Sequence, residues 1–218
     1  MKAEAETDDD IEEVAAKQMP KGPKGRGKRG EKMPQPVTLT AAQPERKKTR
    51  KEEETNVCFY SAGETHFGVR SAEDVMNCVM ETHDIDHISV LVKAHNFARG
   101  STTDPGHHGE HLGNLQALLE QEDFLKAKID QVKHGLKVSG HFKKKVIRVL
   151  VCCSKGRHRS VTVAKVLQEV VARNGYNTEG PYHLSYDSWP NYLCYWCAKC
   201  KGHKKAKEAV FKKAALMW

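Results

Sequence analysis

ISVLVKA (88–94) and VIRVLVCC (146–153) are continuous apolar runs of strand length, and nothing else in the chain limits the fold so severely. A strand that is apolar at successive positions has both faces in a core, so it needs a covering layer on each side. The flanking segments can supply those layers. Leu112, Leu115, Leu118, Leu119, Phe124, Leu125, Ile129 and Val132 recur three and four residues apart, the spacing of one long helix or two short ones. SVTVAKVLQEVVARNG (160–175) reads as a helix closed by glycine. Upstream, NVCFYSAG (56–63) reads as a short strand ending in a turn, SAEDVMNCVMETH (71–83) as a helix capped by Ser71, and downstream PYHLSYD (181–187) as a last strand. Strands alternating with helices predict an α/β fold, a mainly parallel sheet flanked by helices. In such sheets ligands bind beyond the carboxyl ends of the strands.

Residues 1–55 have a different character. Acidic (DDDIEE), proline- and glycine-bearing (MPKGPKGRGKRG) and mixed-charge (PERKKTRKEEE) blocks succeed one another with almost no aromatic or periodic apolar residues, which predicts a disordered tail. The expected organisation is therefore a charged tail (1–55), an α/β domain (56–190) and a short basic extension rich in Cys and His (191–218). No apolar run approaches the roughly 18 residues of a membrane span, and the N-terminus carries acids where a secretory signal needs basic and then apolar residues. This predicts an intracellular protein of the cytoplasm or nucleus with no membrane partner, whose seven cysteines are thiols or thiolates. The net charge of +8 is concentrated at one end: from Cys194 onward there are seven lysines and one glutamate. Such an end suits a polyanion.

The second apolar run leads into VLVCCSKGRHRSV (149–161). A strand delivers Cys153, the chain bends under Gly156, and Arg159 with Ser160 opens a helix. Backbone N–H groups in such a turn, together with the helix N-terminus, form an anion cradle. Lys155, Arg157, His158 and Arg159 add donors suited to phosphate. The candidate phosphate-binding residues are thus Cys153, Ser154, Lys155, Gly156, Arg157, His158, Arg159 and Ser160.

Two families share the pattern. The spacing C-x-x-G-x-x-R-S after an apolar strand resembles the signature loop of protein tyrosine and dual-specificity phosphatases. That resemblance implies Cys153 as thiolate nucleophile, Arg159 gripping the phosphoryl oxygens, Ser160 easing thiolate departure and Asp104, in STTDPGHHG, as general acid. The longer string GRHRSV and the helix continuing from it look more like the C-terminal domain of RapZ, the RNase adapter family. That family's loop reads C-T-G-G-x-H-R-S-V, with Ser154 and Lys155 standing here at its second and third positions. The weaker resemblance runs from about Ile88 to Tyr186 and takes in Asn96, a Gly-His patch before Leu112 and a final strand with His183. It implies a domain that recognises RNA or a phosphorylated small molecule and is not a proven catalyst. RapZ proteins also carry a nucleotide-binding P-loop domain; GPKGRGK (22–28) matches its formula, but Arg29 replaces the magnesium-binding Ser or Thr and no strand precedes it. No ATP site is expected.

NYLCYWCAKCKGH (191–203) places Cys194, Cys197, Cys200 and His203 at three-residue intervals, ligand spacing for zinc, with iron–sulfur ligation or free thiols on an aromatic packing segment as the alternatives. Four ligands so close on one helix share a face and cannot readily surround one ion. Either three bind and a fourth comes from elsewhere, or the site is shared between chains, which would make a homo-oligomer. Tyr192, Tyr195 and Trp196 stand among them, suited either to stacking on bases beside the lysines or to packing the extension onto the domain. His107, His108 and His111 are expected to form a pocket wall near the cradle.

Overall fold

The structure, a computed structural model, describes residues 55–97, 107–189 and 198–218. Four parallel strands form one sheet in the order β2-β3-β1-β4. They are β1 (Asn56–Gly63), β2 (Val90–Lys93), β3 (Val146–Cys153) and β4 (Asn177–His183). The helices are α1 (Glu64–Phe67), α2 (Ala72–Thr82), α3 (Leu112–Leu119), α4 (Glu122–His141), α5 (Arg159–Arg173), α6 (Ala198–Lys201) and α7 (Lys204–Ala215). None of the described helices is long and apolar enough to cross a membrane.

The α/β architecture agrees with the apolar runs. β1 and β3 occupy the centre of the sheet and are buried along nearly their whole length. Val149, Val151 and Cys153 point into a large core beneath α3, α4, α5 and α7, while Leu150 and Cys152 point into a smaller one beneath α2. The alternation of a strand decides this partition, since successive side chains leave opposite faces. The large layer holds fully buried Leu115, Leu118, Leu125, Ile129 and Leu167, and burying each such side chain stabilises the fold by about 2 kcal/mol. Ser71 caps α2 by accepting from Asp74 N at 3.0 Å. The Leu-rich stretch forms two helices, turning at Glu120 and Gln121. Val210, Phe211 and Ala214 of α7 join the large core.

The last strand starts earlier than the sequence indicates: it runs Asn177–His183, and PYHLSYD straddles its end and a 3-10 turn at Tyr186–Ser188. Glycine and proline obscured it. Gly180 and Pro181 are tolerable because β4 is an edge strand, and its register against β1 slips between Cys58 and Tyr60.

The connection from β1 leads to α2 on one face, and that from β3 leads to α5 on the other. The carboxyl ends of these adjacent strands therefore diverge, opening the crevice that α/β sheets use for ligands.

Candidate phosphate-binding site

The loop after β3 is locked by its neighbours. Gly156 has φ +67°, the left-handed region, and a Cβ there would lie 2.7 Å from Gly63 N and 2.8 Å from the Ser185 side chain. A Cβ on Gly63 would come within 2.4 Å of Gly156 N. Only glycines let the two strand ends close to this distance. Around them, Gly63 N donates to Ser185 Oγ at 2.9 Å, and Trp189 Nε1 donates to Gly156 O at 3.2 Å. Thr65 donates twice to Ser154 O, from its backbone N at 2.9 Å and its hydroxyl at 2.8 Å.

The candidate residues take different positions around the turn. Lys155 is exposed and Arg157 half-buried, and both line a cleft of about 240 Å3 with Thr65, His66 and Ser188. Cys153 and Ser160 lie beneath, 2 % and 0 % exposed. The Cys153 thiol donates to Ser160 Oγ and its sulfur accepts from Gly156 N, both at 3.3 Å. His158 is buried at the start of α5, where its carbonyl accepts from Thr162 N at 2.8 Å. Arg159 turns toward the end of β2 and donates to the His95 carbonyl, and His95 Nε2 stands 2.7 Å from Glu64 Oε1. Ser154 is half-buried and carries the carbonyl that Thr65 holds. The first N–H groups of α5 lack intrahelical acceptors by helix geometry and bring partial positive charge to the same end of the sheet. Asp104 lies outside the described residues.

A second polar chain closes the other side. His183 Nε2 is 3.3 Å from Glu110 Oε1, and its Nδ1 is 2.8 Å from Ser61 Oγ. The carboxylate can only accept, so Nε2 carries the proton that faces it. Burial pushes the Glu110 carboxyl up, but the His183 hydrogen bond and the charges of His183 and Lys165 outweigh it and hold the group below its ordinary range. His108, fully buried, has its pKa driven down to about 4 by loss of solvent. The His183 and His108 rings both pack near Trp189, at centroid distances of 5.9 and 6.0 Å. Gly109 ties this histidine loop to the phosphate loop: its N–H donates to Arg157 O at 3.0 Å and its carbonyl accepts from Thr162 Oγ1 at 2.8 Å.

These residues from the histidine loop through β4 carry the decisive comparison. Residues 106–183 match the family model of the RapZ C-terminal domain. No curated protein matches the chain. The RapZ C-terminal domain match includes the loop, the Glu110–His183 pair and β3, α5 and β4. It leaves out β1 and α1, which supply Gly63 and Thr65 to the crevice, and also Ser185 and Trp189.

Several contributors had no local signal. Gly63, Thr65, Ser185 and Trp189 stand far from the loop in sequence and meet it through strand pairing. In the C-terminal segment, Cys194 and Cys197 lie outside the described residues, as do Tyr192, Tyr195 and Trp196. Cys200 is buried, while His203 is exposed at the N-cap of α7. Among the described residues no group of three or more His, Cys, Asp or Glu side chains is gathered closely enough to hold a metal ion.

Proposed function

We propose that the domain recognises phosphate at the mouth of the 153–160 loop, and that the phosphate belongs to RNA. The observation that carries this reading is the cleft of about 240 Å3 in which Lys155 and Arg157 face Thr65, His66 and Ser188 beyond the ends of the central strands. Two cationic side chains and several hydroxyl or imidazole donors suit phosphate oxygens, and the adjoining start of α5 favours negative charge. RNA is the polyanion that the RapZ resemblance implies. The exposed Lys204, Lys205, Lys212 and Lys213 on α7 suit backbone contacts without sequence preference.

The test is equilibrium binding of the full chain to a labelled single-stranded RNA over a range of salt. Affinity should fall steeply with salt, and the paired change Lys155→Ala with Arg157→Ala should weaken binding about tenfold or more and flatten the salt slope by about one to two. Binding that is absent, insensitive to salt or unchanged in the double variant overturns the reading.

One observation favours a second reading, a cysteine-dependent phosphatase. A thiolate at Cys153 would be held by the Gly156 N–H and the Ser160 hydroxyl, each 3.3 Å from the sulfur, as nucleophilic attack on phosphorus requires. Turnover of an aryl phosphate that vanishes in Cys153→Ser would make the site catalytic. A wild-type protein without turnover leaves the loop as a receptor.

A further inference from the structure

The histidine loop and the cysteine-rich run are remote in sequence and meet at one point. Cys200 is 1 % exposed, and its Sγ lies 3.3 Å from His107 Nδ1. His107 in turn stacks on His111, with ring centroids 4.5 Å apart. Lys207 holds the other side of this short helix by donating from Nζ to the Cys200 carbonyl. His203, which sequence spacing groups with Cys200, is exposed instead, in the left-handed region at φ +57°.

Zinc binds thiolate sulfur at about 2.3 Å and imidazole nitrogen at about 2.0 Å, so two such ligands on one tetrahedron stand about 3.5 Å apart. The Cys200 sulfur and the His107 nitrogen are near that separation. Both are zinc ligand types, and in the sequence Cys200 closes a run in which Cys194 and Cys197 precede it at three-residue steps.

We infer that Cys200 and His107 are two ligands of one zinc ion, which ties α6 to the histidine loop. The imidazole from the histidine loop thus takes the place that spacing alone assigns to His203. The clamp would sit two residues from Gly109, the strut on Arg157 and Thr162, so it would brace the phosphate loop from behind. This inference does not depend on what the loop binds. The same pair without metal would be a thiol donating to an imidazole, and the two states differ in measurable ways.

The experiment measures zinc in the purified full chain supplied with zinc, followed by exchange to cobalt. About one zinc ion per chain is expected, lost in Cys200→Ser and in His107→Ala and retained in His203→Ala. Because either loss could follow from misfolding, His107→Cys is the decisive variant. It should keep the metal and, as the cobalt form, show a stronger sulfur-to-cobalt charge-transfer band than the wild type. A wild type without stoichiometric zinc overturns the inference. So does zinc lost in His203→Ala but kept in His107→Ala, or an unchanged cobalt band in His107→Cys.

Discussion

Cys152 and Cys153 are consecutive in the chain, yet they belong to opposite halves of the molecule. Cys152 points under α2 into the small core, where burial drives its thiol well above the ordinary cysteine range. Cys153 points under α5 into the large core, at the edge where Gly156 N and Ser160 Oγ reach its sulfur. The alternation of one strand thus makes one cysteine inert packing and places the other at the base of the crevice. The first packs in a mainly apolar cluster, whereas the second is part of a hydrogen-bonded turn. The lesson extends to the two layers: the α2 side supports the sheet, and the α5 side also carries the polar groups.

The seam between these halves is the most sensitive place to break the comparison. Gly63 pairs with Cys153 in the sheet, and a methyl group there would collide with Gly156 N. Gly63→Ala should cost about 3 kcal/mol in urea unfolding. Gly140→Ala, where nothing stands within 4 Å of the added methyl, should be neutral or stabilising by up to about 1 kcal/mol. Equal effects at the two sites would mean that the strand ends do not meet as described.

Acid should act on the polar half. Unfolded, His108 binds a proton near its ordinary pKa of 6.5; folded, it resists protonation down to about 4. The unfolded chain therefore takes up protons first, so the stability tied to neutral His108 is complete above about pH 6.5 and is lost as the pH falls toward 4. Glu110, held below its ordinary range, works in the same direction. Thermal or urea unfolding between pH 7 and 4 should show a loss of about 2 to 3 kcal/mol, with a smaller slope in His108→Gln. An unchanged slope in that variant would place the titration elsewhere.

The cysteines themselves sharpen the contrast. Cys152→Ser places a hydroxyl among apolar side chains and should cost about 2 kcal/mol. Cys153→Ser keeps a donor and an acceptor within reach of its polar neighbours and should cost less than about 1 kcal/mol. The reverse order would mean that the two side chains face the other way.

The smallest effect belongs to the tie between α5 and α7. Arg173 donates to Glu208 Oε1 at 3.1 Å and to Oε2 at 2.7 Å, on the surface. Glu208→Gln should shift the unfolding midpoint least of these changes, and the shift should disappear at high salt.

Much of the fold was legible because its signals are local. The largely apolar runs at 88–94 and 146–153 needed cover on both faces, and helical spacing around Leu112–Leu119 and in α5 supplied it. The loop's glycine, its basic residues and the helix that follows were equally local. β4 was misplaced because Gly180 and Pro181 argue against a strand anywhere except at a sheet edge, and edge position is a property of the whole sheet.

By itself the sequence determined the fold class and the residue types set around the turn, since strand period, helix period and residue type act over a few neighbours. Tertiary structure decided which groups share that turn. The order β2-β3-β1-β4 brings Gly63 and Thr65 to its rim, β4 and the following turn bring His183, Ser185 and Trp189, and the packing of the C-terminal helices brings Cys200 to His107. Those meetings depend on strand order and layer packing across separations of 33 to 122 residues, which no local spacing encodes.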